Sequence, residues 1–302
     1  MSAPLSSAAI ARSAEATSDD RAILRTVIYA GLFQFPLSLE ELERRLMDAS
    51  LDARAIGARL RAPFLRERLR VTEGLVHPRG REGWIELRRQ RGARAEALVR
   101  RHRHALVWLA SCPFVRLVAL SGGCAHGNAT DEDVDVFLVV RRGRAWCVFG
   151  AVMLLAKVFG LRRTLCVNYV VDETAQGLPE RDLFTASEIV GLRPLAGAEG
   201  YERFLAANRW VSDLFPNFGR RKRDPGDVGP AGASRWCEAL LDLGPAPALE
   251  GLTRRVLGAY LRRKARGARG VVLEPSRLKL HLHDHRPELL TAFDSATARA
   301  EP

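Results

Sequence analysis

The residues of this chain best suited to chemistry are Asp133 and Asp135, two carboxylates at i and i+2 that open the apolar run from Val134 to Val140. Successive side chains of a β-strand alternate faces, so the pair projects the same way with Cα atoms roughly 6.5–7 Å apart. That spacing lets both reach one hard cation, or two cations roughly 3.5–4 Å apart as in two-metal phosphoryl transfer. The preceding run, Phe114 to Leu120, reads as a strand that delivers Ser121-Gly122-Gly123 into a turn. Glycines there allow backbone N–H groups to approach a phosphate with no Cβ in the way. An Asp-x-Asp pair alone is a common solvated strand start. Weight comes from the whole order: apolar strand, Gly-Gly, the spacer Cys124 to Glu132, Asp-x-Asp and a second apolar strand.

This order resembles the DNA polymerase beta-like nucleotidyltransferase superfamily. Its pattern is an apolar strand, Gly followed by Gly or Ser, a spacer, then Asp-apolar-Asp/Glu-apolar. The matching residues are Gly122-Gly123 and Asp133-Val134-Asp135-Val136, and Ala125-His126-Gly127-Asn128-Ala129 is similar to the family's small-residue segment after the turn. The resemblance implies that Asp133 and Asp135 ligate Mg²⁺ against an incoming nucleoside triphosphate. It also implies that Ser121, Gly122 and Gly123 face the phosphates. The reaction implied is transfer of a nucleoside monophosphate to a hydroxyl acceptor, which could be a protein side chain, a tRNA end or a small molecule. Position 123 is Gly where many members carry Ser, which removes a hydroxyl contact.

Members of that superfamily take a third carboxylate from a later strand. Here the next strand reads as Thr164 to Glu173. Simple alternation puts Cys166, Asn168, Val170 and Asp172 on one face and Leu165, Val167, Tyr169, Val171 and Glu173 on the other. Asn168, at mid-strand, can offer a carbonyl oxygen to a hard cation but cannot act as a base. Asp172 lies roughly 13 Å further along the same face and joins the pair only if the strand is short or shifted. Otherwise Asp172-Glu173 is a solvated strand end. The expected catalytic set is thus Asp133, Asp135 and Asp172, with Asn168, Ser121, Gly122 and Gly123 at the nucleotide.

The elements around this motif read as an α/β (α+β) nucleotidyltransferase core at residues 111–195. An N-terminal winged helix-turn-helix is expected at 19–83, a connector helix at 84–110 and a C-terminal helical region at 196–302. Residues 1–18 read as a disordered tail and 216–234 as a Gly/Pro-rich linker carrying Arg220-Arg221-Lys222-Arg223. In the N-terminal unit, Asp19-Asp20 stands where a helix cap belongs, and Ser38 with Glu41 forms a capping box. A third helix fits Asp52 to Arg61, and two strands flank Glu73-Gly74. That third helix, with Arg54, Arg59 and Arg61, is the candidate DNA reader. It lacks the Asn or Gln that suit adenine edges, and a domain-packing role is the alternative. The connector is dense in Arg, either a phosphate platform or a solvated helix. Aromatic residues Tyr201, Phe204 and Trp210 read as core. His281, His283 and His285 share a face if the segment is a strand and diverge otherwise.

Composition sets the limits. Among 302 residues, Lys+Arg number 47 against 35 Asp+Glu, a net +12 that favours polyanionic partners such as nucleotides, RNA or DNA. Five scattered cysteines without CxxC spacing give no zinc motif or disulfide framework, so a reducing cytoplasm is expected. The apolar stretch Ala145 to Ala156 stops at Lys157, short of the ~18–20 residues a membrane span needs, so no membrane partner is expected. It fits a helix packed between the two site-bearing strands. Two other readings remain open at this level: a non-catalytic nucleotide-binding scaffold, and a winged-helix DNA-binding regulator.

Overall fold

A computed structural model describes residues 16–162, 164–218, 231–232, 235–281 and 284–300. Most of the expected tail, most of the linker with its Arg220–Arg223 run, and His283 lie outside the described residues. The chain divides into two compact units, Met1–Arg88 with Ser212–Arg220 and Glu288–Pro302, and Arg89–Val211 with Arg221–Pro287.

In the first unit, α1 (Ser18–Leu32) starts one turn earlier than its acidic pair suggests. Thr17 is the cap: its hydroxyl accepts the Asp20 N–H, and the Asp20 carboxylate accepts the Thr17 N–H. Asp20 also holds the Arg59 guanidinium at 2.5 Å. Next come β1 (Leu37–Ser38), α2 (Leu39–Arg44), α3 (Ala53–Arg59), α4 (Pro63–Arg68), β2 (Leu69–Thr72) and β3 (Leu75–Pro78). The Ser38–Glu41 capping box starts α2 as expected. Glu73 and Gly74 both take positive φ, the conformation a two-residue hairpin needs. The strands form an antiparallel sheet in the order β1-β3-β2 around a core that includes Ile23, Val27, Leu42, Ile56 and Val76.

The expected single helix over 84–110 is two, α5 (Trp84–Arg101) and α6 (Arg103–Ser111). The break falls at His102, which is buried and bonds the Thr164 hydroxyl at 2.7 Å. Then follow β4 (Val115–Leu120), α7 (Gly122–His126), β5 (Val134–Val140), α8 (Ala145–Val158) and β6 (Leu165–Asp172). After these come α9 (Leu183–Gly191), β7 (Arg193–Ala196), α10 (Ala198–Ala207), α11 (Val211–Leu214), α12 (Arg235–Leu243), α13 (Ala246–Lys264), β8 (Val271–Leu273), β9 (Arg277–Leu280) and α14 (Arg286–Ala300). The C-terminal region is therefore not wholly helical, because β8 and β9 extend the central sheet.

Among the described residues that sheet runs β7-β4-β5-β6-β9-β8. β4 and β5 are antiparallel, and β5 and β6 are parallel through the crossover helix α8. One face packs on α6, α8 and α13 through Leu106, Leu109, Trp146, Phe149 and Ala246. The other meets α10, where the Phe137 and Phe204 rings lie 4.8 Å apart. Burial on both faces explains why the central strands are nearly continuous apolar runs.

Three carboxylates fasten α12 and α13 to this sheet. Glu238 accepts the Phe114 N–H at 2.7 Å and pairs with Arg116 at 2.7 Å. Asp242 holds Arg144, and Glu250 accepts the Trp146 and Cys147 N–H groups that open α8. Burial pushes the Glu238 carboxyl up, but Arg116 and the Phe114 N–H outweigh it and hold it below the usual glutamate range. Its contribution is therefore complete above the unfolded-state value and lost as pH falls through the folded one. Glu238→Ala should cost about 2 kcal/mol at neutral pH, because the buried Phe114 N–H loses its acceptor and the half-buried Arg116 keeps only its longer ion pair to Glu173 at 3.7 Å. The difference from wild type should narrow below about pH 4. Denaturant unfolding at both pH values checks this, and an equal cost at both would contradict it.

Candidate functional site

The chain leaves β4 at Leu120 and turns directly over β5. The Ser121 N–H donates to the Asp135 carbonyl at 3.0 Å, which extends the β4–β5 pairing into the turn. Gly122 follows with φ +57, and a Cβ built there would lie 2.5 Å from Asp135 Oδ2. Any side chain at 122 would be both strained and in collision with the carboxylate. Gly123 is less constrained: a Cβ there would lie 3.1 Å from the Asn128 carbonyl oxygen and 3.2 Å from the Ala129 Cα. From α5, Arg91 donates to Asn128 Oδ1 at 3.3 Å and Arg94 to the Thr130 carbonyl at 3.2 Å, steadying the loop that leads into β5.

Asp135 sits opposite Cys166 in the parallel β5–β6 pairing. Its Oδ1 accepts a 2.5 Å hydrogen bond from Asn168 Nδ2. Simple alternation does not hold along β6. Val136 pairs with Val167 and Phe137 with Tyr169, so Asn168 is the extra residue of a β-bulge. Leu165, Val167 and Val170 point into the core, whereas Asn168 and Tyr169 both line the Asp135 side. This corrects the expected placing of Val170 and Tyr169. The bulge turns the amide onto the carboxylate, a re-aiming for which bulges near functional sites are known.

Asp133 is half-buried just before β5 and reaches the Cys166 thiol. Burial raises Asp135, and Asp131, Asp133 and Glu188 add to the effect. The Asn168 bond opposes them, and the carboxyl is pushed up to about 7. Burial and the same aspartates push Cys166 up to about 12, so this thiol stays protonated at neutral pH.

Sequence reading missed Glu188. It lies on α9 and lines, together with Asp135, an open cleft of about 130 Å³. Burial pushes Glu188 up, but the His126 imidazole at 3.5 Å, His281 and the Gly122 N–H prevail and hold it below its usual range. His126 is seated on Gly191, where a Cβ would collide with the ring. The remaining walls are mostly apolar, with Phe137, Tyr169, Phe184 and Phe204 among them, and Lys279 and His281 at β9. A volume near ~150 Å³ accommodates one six-membered ring. No local motif marks Glu188; only the α9 packing brings it to the turn.

The structure brings together Ser121, Gly122, Asp135 and Asn168 on this cavity, with Asp133 beside them and Gly123 beneath the turn. Asp172 is not among them. It pairs with Val140 at the far end of β6, roughly 20 Å from Cys166 by strand rise. Its buried carboxylate accepts the Gly143 and Thr174 N–H groups and the Thr174 hydroxyl. Asp172 is therefore neither solvated nor near the pair: it closes a turn. β9 ends before His281, so His281 and His285 do not share a strand face; His283 lies outside the described residues. Among the described residues, no group of three or more His, Cys, Asp or Glu is placed to hold a metal ion. The chain matches no family model, and no curated protein or solved structure matches it either.

A carboxyl raised by folding penalises the native state as pH climbs from the unfolded value to the folded one. Without divalent cation, Asp135→Asn should thus be more stable than wild type by up to about 4 kcal/mol at pH near 8, with little gain near pH 4. Thermal unfolding in chelator at the two pH values measures it. A destabilised variant at pH near 8 would contradict the uncompensated charge.

Proposed function

We propose that the second unit is a nucleotidyltransferase-type core that binds a Mg²⁺–nucleoside triphosphate at Asp133 and Asp135 and transfers the nucleoside monophosphate to a hydroxyl acceptor. The observation that carries this reading is the Asp135 carboxylate, held against Gly122 and Asn168 with its charge uncompensated. The donor set suits a hard cation: two carboxylates, one of them held in place by the Asn168 amide N–H. Mg²⁺ is commonly bound by one or two carboxylates completed by substrate phosphates and water, so no closed protein cage is required. When bound, it would neutralise charge developing on the phosphoryl group.

The residues of the chain would divide the remaining work. The glycine turn gives the phosphates room beside Asp135, and Asn168 fixes that carboxylate's orientation. In the transfer, a bond forms between acceptor oxygen and α-phosphorus while the bond to pyrophosphate breaks. Asn168 cannot take the acceptor's proton. Glu188 is the other carboxylate lining the cavity and is the group we assign to that step. One ring-sized apolar space beside it fits part of a nucleotide or acceptor.

A second reading is nucleotide binding without turnover. It is favoured by the amide at 168 and by Glu188 facing the Gly122 N–H, which a phosphate oxygen would otherwise use. The first unit we read as winged helix-like, from three helices preceding the β2–β3 hairpin, with α4 inserted between. Of the three arginines expected to read DNA, Arg59 is committed to Asp20 and Thr17, Arg61 falls beyond the end of α3, and Arg54 alone is exposed on the helix.

Thermal unfolding with Mg²⁺ and each nucleoside triphosphate tests the site. Ligand at ~100 times its Kd should add roughly 2.7 kcal/mol of stability to wild type. That gain should vanish in Asp133→Asn and Asp135→Asn. Label transfer from α-labelled triphosphate, lost in Glu188→Gln while binding persists, identifies the enzyme. Binding with no transfer to protein, tRNA or small-molecule hydroxyls identifies the scaffold. No Mg²⁺-dependent gain with any triphosphate would sink both.

A further inference from the structure

The helices on the opposite side of the sheet from the cavity leave a large apolar surface in solvent. On α12, Trp236, Leu240 and Leu243 recur at i, i+4 and i+7 and are 81%, 70% and 89% exposed. On α13, Leu252, Val256 and Tyr260 recur at i, i+4 and i+8 and are also more than half exposed. α8, packed against α13, adds exposed Leu154 and Val158, and Phe159 follows at its C-terminal end. Exposed apolar area on this scale marks an interaction surface. It is not a by-product of poor helix docking. Opposite faces of the same helices are anchored by Glu238, Asp242 and Glu250, and Gly258 packs on the Trp146 ring.

Charge identifies the occupant. Those three acids are all turned inward, onto Arg116, Arg144 and the N-terminus of α8. From Gly251 to Gly270 the chain carries seven Arg or Lys and no Asp or Glu. Arg255, Arg262, Arg263 and Lys264 are exposed beside the apolar stripe. A symmetric contact between two copies would set these like charges against each other. A nucleic acid would use the cations but leave the leucines and valine stranded. An anionic lipid surface satisfies both: aromatic and aliphatic side chains enter the headgroup boundary by ~5–10 Å while Arg and Lys meet lipid phosphates. No helix among the described residues is long and apolar enough to cross a membrane, and lying on one requires no span.

We infer that the α12–α13 face, flanked by α8, docks the protein onto an anionic bilayer surface. The inference is independent of the nucleotide site. It is tested by flotation of the full chain with vesicles of phosphatidylcholine, and of equal parts phosphatidylcholine and phosphatidylglycerol. Wild type should float with the anionic vesicles only. The surface variants Leu240→Ser/Tyr260→Ser and Arg262→Glu/Arg263→Glu should each lower partitioning at least about tenfold, with the wild-type melting temperature retained. No flotation with anionic vesicles, or flotation unchanged in the apolar variant, would overturn the inference. So would a wild-type dimer in sedimentation equilibrium that Leu240→Ser/Tyr260→Ser makes monomeric, which would assign the face to a second copy.

Discussion

One half-buried carboxylate is the constraint around which the cavity of the second unit is arranged. Asp135 has its Oδ2 under the Gly122 backbone and its Oδ1 on the Asn168 amide, in a setting of low polarity with three acids nearby. A lone hydrogen bond from an amide does not offset such burial, because charge taken out of water needs an opposite charge or a proton. The carboxyl therefore shifts towards neutrality when nothing else is present. A cation would remove the need for that shift, and on that ground we propose metal-assisted phosphate chemistry at this carboxylate.

The fold is organised to keep that carboxylate in place. β4 and β5 are apolar on both sides and fixed between two helical layers, so Asp135 is carried by a rigid element. The β6 bulge brings the amide to it, and α5 holds the loop that follows the glycine turn through Arg91 and Arg94. α9 completes the arrangement from across the cavity with Glu188, held by His126 over Gly191. Each of these depends on backbone geometry more than on side-chain reach. Small changes at Gly122 or Gly191 would thus propagate to the carboxylates without touching the core.

Local chemistry made part of this legible from sequence. The β4–turn–β5 segment, the crossover helix α8, the Ser38–Glu41 box and the β2–β3 hairpin all follow from periodicity, capping and turn residues acting over a few positions. Features set by tertiary contact were not legible. A bulge has no composition signal, so Tyr169 and Val170 exchange the faces that alternation gives them. The helix break at His102 depends on Thr164, over sixty residues away in sequence. Asp172 looked like a strand-end acid because one of its donors, the Gly143 N–H, lies 29 residues away and reaches it only in the folded sheet, beside the local Thr174. β8 and β9 are too short to stand out from a helical context, and Glu188 belongs to the site only through the packing of α9.

The central claim is that Asp133 and Asp135 hold a divalent cation together with a triphosphate. Anomalous scattering from crystals soaked in Mn²⁺ and a non-hydrolysable nucleoside triphosphate addresses it directly. The account predicts a Mn²⁺ peak bridging the Asp133 and Asp135 carboxylates and the phosphates, with the triphosphate beside Gly122 and Gly123. A triphosphate bound elsewhere, or a cavity without Mn²⁺ at ligand concentrations that stabilise the protein, would contradict it.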